Sequence, residues 1–287
     1  MKQVLVTGAN GQLGKCIKDA SNHYSNIQFT FTSKEELDIT NLRKVADFFK
    51  SNTFDYCINV AAYTNVEKAE SEEETAFLVN AEAVKNLAET CAAHKTTLLH
   101  VSTDYVFDGT NAQPYLETDS TNPINVYGAS KRKGEEAIIN HCEQYFIVRT
   151  SWLYSQYGHN FFNSMIKYAE QGKPLTITTE QTGTPTNAND LAEALLQIMA
   201  TKADKYGVYH FSNSGKATWY DFAKEILETT GLIKKTKLAQ TDYYRTFAKR
   251  PAYSVLNTNK IESALSIKPV NWKNSLKTVL SKRIALH

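Results

Sequence analysis

The chain has 287 residues, more than the roughly 100–200 of a usual domain, so a disulfide-stabilised miniprotein is excluded and one large α/β unit or two lobes is expected. Hydrophobic residues make up 42% and charged residues 22%, which is ordinary globular composition and excludes an intrinsically disordered chain. Lys and Arg (32) nearly balance Asp and Glu (30), so a nucleic-acid partner is not expected.

The cysteines and the apolar runs bear on the location of the protein. We expect buried or free thiols in a reducing compartment, because the spacing of the cysteines contains no C-x-x-C pair and no histidine pattern typical of zinc. These cysteines are Cys16, Cys57, Cys91 and Cys142. The first apolar run is too short for a signal peptide, and no run approaches the ~18 apolar residues of a membrane span. The sequence therefore predicts a cytoplasmic protein with no membrane partner.

Strand-like and helix-like segments alternate through the first half of the chain, which is the pattern of a parallel sheet with helices on both faces. The predicted strands are Val4–Thr7, Ile27–Thr32, Tyr56–Asn59, Leu98–Ser102 and Phe146–Thr150. The predicted helices lie near 13–20, 41–51, 72–93 and 127–141. The fold class is therefore α/β with a Rossmann-like, doubly wound parallel sheet, and residues 1–150 are predicted to form a dinucleotide-binding domain.

The second half of the chain has a looser pattern. Helices are predicted at 160–171, 189–200, 218–230 and 272–282, with short strands at Leu175–Ile177 and Val208–Phe211. Residues 151–287 are predicted to form mainly a smaller α/β substrate-binding lobe, from which segments can return to the first domain. Because no Pro/Gly/Ser-rich linker separates the halves, we expect the lobes to pack together and form a cleft at their seam.

A glycine-rich loop lies between the first predicted strand and the first predicted helix. Its sequence is GANGQLG, with Gly8, Gly11 and Gly14 spaced G-x-x-G-x-x-G, one residue wider than G-x-G-x-x-G. Glycines there permit a tight turn and close approach of the backbone to a pyrophosphate, and the helix N-terminus presents free N–H groups to it. The loop predicts a dinucleotide cofactor.

The end of the second predicted strand bears on which nicotinamide cofactor is used. Many NAD sites have an acid there that binds the ribose 2′-hydroxyl, but this strand ends in Thr32, Ser33 and Lys34. These side chains could accept a 2′-phosphate or could be plain surface residues, and Asp38 could reach the adenine edge. Because no carboxylate at Thr32 or Ser33 repels a 2′-phosphate, NADPH is predicted to serve at least as well as NADH.

Tyr127 and Lys131 are four residues apart in the fourth predicted helix, so they share one helix face. A nearby ammonium favours the ionised form of a phenol, so the pair is predicted to transfer a proton near neutral pH. Thr103, at the carboxyl end of the fourth strand, could polarise the same carbonyl. The same spacing occurs in Tyr220 and Lys224, which we interpret as an exposed helical face of the second lobe.

Eight segments cover nearly the whole length of the chain: GANGQLG (8–14), LDIT (37–40), NVAAYTNVEKAE (59–70), STDYVFDG (102–109), NVYGASKRKGE (125–135), RTSWLY (149–154), QTGTPT (181–186) and RPAYSVLNTNKI (250–261). Together they resemble the extended short-chain dehydrogenase/reductases, and within them the branch that reduces 4-keto deoxysugar nucleotides. The order of STDYVF, RTSWLY and QTGTPT is not expected of a general sugar-nucleotide epimerase. The resemblance implies an oxidoreductase that reduces the C4 ketone of dTDP-4-dehydro-L-rhamnose to dTDP-L-rhamnose with NADPH or NADH, for surface polysaccharide biosynthesis.

The resemblance also implies roles for individual residues. Thr103, Tyr127 and Lys131 would form the catalytic triad, in which Tyr127 protonates the C4 oxygen and Lys131 also holds the nicotinamide ribose. The other implied contacts are Gly11, Gln12 and Leu13 to the pyrophosphate, Asp38 and Ile39 to the adenine, Ala62, Tyr63 and Thr64 to the cofactor ribose and phosphates, and Asp104 and Trp152 to the sugar. Trp152 could form an apolar wall for a deoxysugar methyl group or could simply be part of the core.

The residue after Asp104 bears on the reaction type. Related 4,6-dehydratases have an acidic pair after the fourth-strand threonine, whereas Tyr105 follows Asp104 here, so ketone reduction is favoured over dehydration. Two alternatives remain open: a reductase of another nucleotide 4-ketodeoxysugar, and a regulatory subunit that binds a nicotinamide cofactor and a methionine adenosyltransferase without catalysis. The intact triad favours the enzyme.

The expected assembly depends on a departure from the resembled family. Some of its members form dimers through a magnesium ion held by glutamates, one just after the third glycine and one after the Gln-x-Gly-x-Pro-Thr segment. This chain has Lys15 and Cys16 at the first place and Asn189 at the second, and none of them supplies a carboxylate oxygen. No metal is therefore predicted, and the protein is predicted to be a monomer or a weak, metal-free homodimer.

Overall fold

The computed structural model describes residues 1–201 and 204–285, so residues 202–203 and 286–287 of the predicted second lobe lie outside the described residues. The strands are β1 Lys2–Thr7, β2 Ile27–Thr32, β3 Tyr56–Asn59, β4 Thr97–Thr103, β5 Tyr145–Thr150, β6 Leu153–Tyr154, β7 Leu175–Thr178, β8 Thr182–Gly183, β9 Thr186–Asn187, β10 Gly207–His210, β11 Ala217–Thr218 and β12 Leu238–Thr241. The helices are α1 Gln12–Ser21, α2 Leu42–Ser51, α3 Val66–Ala69, α4 Glu73–Phe77, α5 Ala83–Ala93, α6 Val126–His141, α7 Phe161–Glu170, α8 Ala188–Ala200, α9 Trp219–Thr229, α10 Asn259–Leu265 and α11 Trp272–Ala285.

Six strands form one parallel sheet in the order β10-β5-β4-β3-β1-β2. The five strands predicted in the first half of the chain are all present in it, and β10 from the second half pairs with β5 as the sixth strand. The strand order reverses between β1 and β3, which leaves a crevice at the carboxyl ends of these strands. The predicted Rossmann-like α/β fold class is confirmed.

Side chains alternate across the sheet, so each strand contributes to two apolar layers. Val4 and Val6 of β1 face a layer that contains α1, α8 and α10, whereas Leu5 faces a layer that contains α2, α5 and α6. The prediction of buried thiols is confirmed, because each cysteine is buried and unpaired in one of these layers. They are Cys16 in the first layer and Cys57, Cys91 and Cys142 in the second.

The helix predicted at 72–93 contains an irregular turn. Instead of one continuous α-helix, α4 leads into a π-helical segment, Leu78–Glu82, and then into α5. Single π-helical turns inside α-helices occur frequently at functional sites. The other seven predicted helices are present, whereas α3 and α10 have no predicted counterpart because helices of four and seven residues give too short a hydrophobic pattern.

A second apolar core lies among α7, α9 and α11. Its aromatic side chains contact one another, and the short pairs β7–β12 and β8–β11 flank it. The division of the chain at residue 150 into a cofactor domain and a substrate lobe stays a prediction. Within the described ranges, no helix has the length and the apolar character needed to cross a membrane.

Candidate active site

The predicted site residues follow the carboxyl ends of neighbouring strands, all at one edge of the sheet. Gly8, Gly11, Gln12, Leu13 and Gly14 follow β1, Asp38 and Ile39 follow β2, Ala62, Tyr63 and Thr64 follow β3, Thr103 ends β4 and Asp104 follows it, and Trp152 follows β5. Tyr127 and Lys131 lie in the first half of α6, which connects β4 to β5. The proposed adenine contacts thus lie at one end of this row and Trp152 at the other.

The glycine loop has a shape that fits a pyrophosphate. Gly8 has a φ of 70°, and a Cβ there would lie 2.7 Å from the backbone nitrogen of Ala61 after β3. A Cβ at Gly14 would lie 2.5 Å from the carbonyl oxygen of Gly8, so the loop is tightly folded on the start of α1. The N-cap of α1 is Gly11, which has no side chain with which to cap the first N–H groups. Those N–H groups and the positive end of the helix dipole can therefore bind an anion.

The side chains of Gln12 and Leu13 are used within the protein. Gln12 Nε2 donates to the carbonyl oxygen of Leu153 at 3.2 Å, and Gln12 Oε1 accepts from Asn160 Nδ2 at 2.7 Å. Leu13 is buried in the apolar layer with α8. The predicted pyrophosphate contacts of both residues are therefore restricted to their backbone N–H groups.

The residues at the end of β2 differ from the expectation of free hydroxyls. The Thr32 hydroxyl donates to the carbonyl oxygen of Val6 at 3.3 Å, and the Ser33 hydroxyl accepts from the Glu36 N–H at 3.4 Å. Both Thr32 and Ser33 are buried, whereas Lys34 is exposed. Of the three side chains predicted to accept a 2′-phosphate, Lys34 is the one that faces solvent.

Asp38 shapes the turn that carries the predicted adenine contacts. Its Oδ1 accepts hydrogen bonds from the backbone N–H of Thr40 at 2.9 Å and from the Thr40 hydroxyl at 2.7 Å. Burial would raise the pKa of Asp38, but these hydrogen bonds outweigh it and the pKa is lowered. Asp38 is therefore a carboxylate at neutral pH, and the next residue, Ile39, is buried beneath it in the turn.

Asn80, in the π-helical segment, fixes the loop that follows β3. Its Oδ1 accepts from the Tyr63 N–H at 2.9 Å, and its Nδ2 donates to the Tyr63 carbonyl oxygen at 2.9 Å and to the Ser130 hydroxyl at 3.0 Å. The Tyr63 hydroxyl donates to Glu72 at 2.7 Å. Asn80 is a site residue without a predicted role; its signal in the sequence is a single asparagine within the otherwise apolar stretch AFLVNA (76–81), and the structure shows it fully buried.

The start of α6 packs against the turn that follows β4. A Cβ at Gly128 would lie 2.1 Å from the carbonyl oxygen of Tyr105, so the two backbones are in direct contact. This contact brings Tyr127 beside Thr103 and Asp104. Burial raises the pKa of Tyr127, and hydrogen bonding with the Thr103 hydroxyl acts in the opposite direction. Tyr127 is therefore held as a phenol.

Lys131 is buried, and its amine is directed at β4. Its Nζ lies 2.7 Å from the carbonyl oxygen of Val101 and 3.1 Å from Nε2 of His100. Burial lowers the pKa of Lys131 to about 8. Burial raises the pKa of Tyr127, and the effect of a Lys131 ammonium on this phenol stays a prediction.

Asp104 is a buried acid at the same edge of the sheet. Its Oδ1 accepts from the Thr103 hydroxyl at 3.1 Å, the Ser254 hydroxyl also interacts with the carboxyl group, and Oδ2 has no partner in full hydrogen-bond geometry among the described residues. Burial raises the pKa of Asp104 to about 7. Because a buried oxygen without a partner is costly, this oxygen is suited to bind a ligand hydroxyl.

Asp104→Asn is expected to stabilise the protein at pH 8 by about 2–4 kcal/mol. The folded protein keeps a proton on Asp104 between the unfolded pKa of 3.8 and about 7, whereas the unfolded chain has released it. Wild-type stability therefore falls as the pH rises through that window, and the gain from asparagine should vanish near pH 4. Urea unfolding at pH 4.5 and pH 8 measures this difference. Asp47→Asn, at an exposed position, is the control, and an equal gain at both pH values would contradict the assignment.

Tyr105 stands where the related dehydratases have a second acid. Its hydroxyl accepts a hydrogen bond from Arg250 Nη1 at 3.2 Å, and Arg250 Nη2 lies 2.7 Å from the Glu67 carboxylate. Burial raises the pKa of Tyr105 to about 12, so this position supplies no acid or base near neutral pH. Arg250 begins the segment RPAYSVLNTNKI (250–261), and its contacts with Tyr105 and Glu67 are between residues too far apart in the sequence for the segment to predict them.

Trp152 has a strained backbone and a flat stacking partner. Its φ is 45°, in the left-handed region that a bulky residue rarely adopts. Its ring stacks on Trp219 with 3.7 Å between ring centroids and 5° between planes, and Gly183 lies against its edge. These contacts hold the ring in one orientation, as the predicted apolar wall for a sugar methyl group requires.

The positions predicted to lack magnesium ligands are Lys15 and Cys16 on α1 and Asn189 on α8. They are neighbours in the fold, because α1 packs on α8. Asn189 Oδ1 accepts a hydrogen bond from Lys282 Nζ at 3.0 Å, so a lysine cation lies beside this position. Across residues 1–201 and 204–285, no group of three His, Cys, Asp or Glu side chains is arranged to hold a metal ion.

The second Tyr-x-x-x-Lys pair lies on α9, outside the strand-end site. Lys224 is exposed and its Nζ lies 3.9 Å from Glu228, whereas Tyr220 is half-buried at the start of the helix. The interpretation of an exposed helical face is therefore confirmed for Lys224.

Comparisons with known proteins agree over the full length of the chain. The family described as "RmlD substrate binding domain" matches residues 1–284. The chain is 38% identical to a dTDP-4-dehydrorhamnose reductase of Aggregatibacter actinomycetemcomitans, over 97% of this chain and 98% of the relative. Two solved structures of that enzyme are similar in fold: one from Clostridium acetobutylicum (TM-score 0.92, 38% identity, covering 98% of this chain and 99% of that one) and one from Bacillus anthracis in complex with NADP (TM-score 0.93, 35% identity, 98% and 100%).

The parallel sheet, the glycine loop and the Thr-Tyr-Lys set at one sheet edge define an oxidoreductase of the extended short-chain dehydrogenase/reductase class. The full-length similarity to these relatives identifies one family within this class. The chain belongs to the dTDP-4-dehydrorhamnose reductase family, which confirms the resemblance carried by its motifs.

Proposed function

We propose that the chain reduces the C4 ketone of dTDP-4-dehydro-L-rhamnose to dTDP-L-rhamnose with NADPH, as a step toward surface polysaccharide. One observation carries the proposal: Tyr127, hydrogen-bonded to Thr103, and Lys131, bound to the Val101 carbonyl oxygen, lie at the sheet edge that begins with the glycine loop. A ketone reductase needs an acid that keeps its proton until the carbonyl is in place. The NADP complex of the Bacillus anthracis relative supports a nicotinamide cofactor for this chain.

The residues around the ketone have separate roles in this proposal. A bound reduced nicotinamide supplies a hydride to C4. Tyr127 gives its proton to the C4 oxygen, so that the ketone gains one hydride and one proton and becomes a secondary alcohol. When the ketone binds, the Thr103 hydroxyl turns from Asp104 Oδ1 and donates its one hydrogen to the same oxygen. Asp104 accepts a hydrogen bond from a sugar hydroxyl, and Trp152 contacts the C6 methyl group.

Reduction is favoured over dehydration because of Tyr105. Elimination across C5 and C6 requires a base and an acid near these atoms, and the second acid is replaced here by a phenol that Arg250 binds. The raised pKa of Tyr105 keeps this phenol protonated at neutral pH. The position therefore lacks a group that removes a proton from C5.

The assay that tests the function follows NADPH consumption with a panel of nucleotide 4-ketosugars. The panel contains dTDP-4-dehydro-L-rhamnose, the same sugar on uridine diphosphate, and a dTDP 4-ketosugar of the opposite C5 configuration. We expect the fastest turnover with the first compound and a product that NMR identifies as dTDP-L-rhamnose. No turnover with any of them would contradict a reductase, and faster turnover with another would assign the enzyme to that sugar.

NADPH is expected to give a kcat/KM at least as high as NADH. Lys34 is the exposed cation at the end of β2, so Lys34→Ala should lower kcat/KM for NADPH by about fivefold, the value of roughly 1 kcal/mol for an exposed charge pair. The value for NADH should not change. Steady-state kinetics with both cofactors measure this, with Lys50→Ala on α2 as the exposed control. A strong preference for NADH would contradict the prediction and would point to Asp38 or Glu36 at the ribose.

The protein is expected to be a monomer or a weak dimer whose association does not depend on a divalent metal. Asn189 binds Lys282 rather than supplying a carboxylate, and Lys15 and Cys16 offer no hard oxygen ligand. Light scattering and the reductase assay, each with and without EDTA, should give the same result. A stable dimer that dissociates on chelation would contradict this.

A reduced nicotinamide and four buried thiols suit a reducing compartment, so a cytoplasmic location stays the prediction.

A further inference from the structure

The segment QTGTPT (181–186) holds the backbone on both sides of the left-handed φ of Trp152. The Ser151 hydroxyl donates to the carbonyl oxygen of Thr184 at 2.9 Å, and the Thr186 N–H donates to the carbonyl oxygen of Trp152 at 3.2 Å. Both Thr184 and Thr186 are fully buried. The segment therefore keeps Trp152 in a backbone conformation that a tryptophan rarely adopts.

The same segment places Trp219 beside Trp152. Strand β8, Thr182–Gly183, pairs antiparallel with β11, Ala217–Thr218, and α9 begins at the next residue, Trp219. The ring of Trp152 lies against Gly183 of β8. One short pair of strands therefore positions both tryptophans.

Gln181 fixes the ring of Trp219. Gln181 Oε1 accepts a hydrogen bond from Trp219 Nε1 at 2.9 Å, and Gln181 is 8% exposed. Because an indole N–H only donates, this bond selects one of the two flipped orientations of the ring. Phe161 packs against the same ring, with 4.6 Å between the ring centroids. Trp219 is therefore held by a polar contact and by the second apolar core.

The stack of Trp152 on Trp219 is closer than aromatic rings adopt by themselves. Aromatic pairs prefer offset or edge-to-face arrangements with centroids about 4.5–7 Å apart. Here the centroids are 3.7 Å apart and the planes differ by 5°, so the surrounding contacts impose the stack. It closes one face of Trp152, and the half-buried ring offers a ligand its remaining face and edge.

The segment also reaches Asp104, the second predicted sugar contact. The Thr182 N–H donates to the Ala252 carbonyl oxygen at 2.8 Å, and the Ser254 N–H donates to the Thr182 carbonyl oxygen at 2.8 Å. The Ser254 hydroxyl interacts with the Asp104 carboxyl group. One segment thus connects the apolar ring of Trp152 to this acid and sets the spacing between them.

We propose that Gln181 and Trp219 are positioning residues that give the site its specificity for a 6-deoxy sugar. Gln181 holds Trp219, and Trp219 holds the Trp152 ring where it contacts the methyl group at C6. The inference rests on the proposed function, in which Trp152 contacts that methyl group while Asp104 binds a sugar hydroxyl.

The preference for the methyl group is the quantity that tests this inference. Isothermal titration calorimetry of the full-length protein with NADP⁺ compares dTDP-L-rhamnose with dTDP-L-lyxose, the pentose analogue that lacks C6. We expect the wild type to bind the rhamnose compound at least about tenfold more tightly, which is the effect of one methyl group in an apolar pocket. Equal affinities would overturn the inference.

Gln181→Met and Trp219→Phe each remove the hydrogen bond between these two side chains. Each should lower the preference by about three- to tenfold, the effect of one neutral hydrogen bond, and should do so by weakening dTDP-L-rhamnose. The double variant should lower it no further than Trp219→Phe, because both changes act on one contact. An unchanged preference, an equal loss of affinity for both sugars, or additive effects in the double variant would overturn the positioning roles.

Trp272→Phe is the matched control, because it makes the same exchange in the same apolar core. The Trp272 ring contacts Phe222, with 5.9 Å between the centroids. This variant should keep the wild-type preference, and a loss equal to that of Trp219→Phe would overturn the inference. If Trp219→Phe does not fold, the wild type and Gln181→Met still decide.

The binding readout separates this inference from the proposed function. A preference for dTDP-L-rhamnose without turnover of any 4-ketosugar would contradict the reductase alone. Binding of both sugars without a preference would overturn the positioning roles alone, and no binding of either sugar would overturn both.

Discussion

Tyr127→Phe is expected to reduce turnover of the 4-ketosugar by about 10²–10⁴-fold, because it removes the acid that protonates the C4 oxygen. The phenylalanine ring can keep the edge-to-face contact with Tyr105, whose ring centroid lies 5.8 Å away. Cofactor binding and the free energy of unfolding should therefore change little. Single-turnover kinetics with bound cofactor measure the chemical step, and a fluorescence titration measures cofactor affinity.

Other variants separate the members of the triad. Thr103→Val should cost about 0.5–1.5 kcal/mol in the activation free energy, because it removes one neutral hydrogen bond. Lys131→Met should impair both turnover and cofactor binding. Tyr220→Phe and Lys224→Met are the matched controls, since they have the same spacing on α9, and both should stay within a small factor of the wild type. A Tyr127→Phe enzyme with wild-type turnover, or an essential α9 pair, would contradict the assigned site.

Arg149→Met is expected to lower the free energy of unfolding by about 3–5 kcal/mol. Arg149 is 4% exposed and makes two hydrogen bonds to Glu135, which is fully buried. Removing the arginine takes both hydrogen bonds from the buried carboxylate and leaves Arg132, whose Nη1 lies 3.8 Å from Oε2, as a nearby cation, and a buried charge without its hydrogen-bonded partner is among the most destabilising changes. Urea unfolding followed by circular dichroism measures the loss.

The double variant Arg149→Met with Glu135→Gln separates charge from packing. If the stranded carboxylate causes the loss, the double variant should recover much of the stability. Equal losses in the single and the double variant would instead attribute the effect to packing. Arg43→Met is the control, because its contact with Asp47 is 3.9 Å long and the arginine is 93% exposed, so a change below about 1 kcal/mol is expected.

The central sheet could be predicted from the sequence because each strand carries its own local signal. Val4–Thr7 and Tyr56–Asn59 are short apolar runs with flanking helical patterns, and strands in a doubly wound sheet are buried on both faces. The glycine loop was equally visible, since its position between a strand and a helix is a local property. The placement of site residues at one edge then follows from the parallel direction of the strands.

The polar network behind Lys131 could not be predicted in the same way. The Thr7 hydroxyl donates to Asn59 Oδ1 at 2.7 Å, Asn59 Nδ2 lies 3.0 Å from His100 Nδ1, and His100 Nε2 lies 3.1 Å from Lys131 Nζ. These residues are far apart in the sequence, and their contacts depend on the register of three strands rather than on any local pattern. Helical spacing places Lys131 on the same face as Tyr127, but the lysine side chain has four rotatable bonds. The position of its amine is therefore decided by hydrogen-bond partners on β4, which spacing does not reveal.

The π-helical turn at Leu78–Glu82 makes the number of residues in this stretch matter as much as their chemistry. A π-helical turn holds one residue more than an α-helical turn, so deleting one residue there would join α4 and α5 into a continuous α-helix and change the direction in which the side chains of the turn point. Asn80 could then no longer span the N–H and the carbonyl oxygen of Tyr63, and its bond to Ser130 on α6 would be lost at the same time. A deletion of one residue in this turn, with Asn80, Tyr63 and Ser130 all retained, would therefore release the loop after β3 from the helix that carries Tyr127 and Lys131.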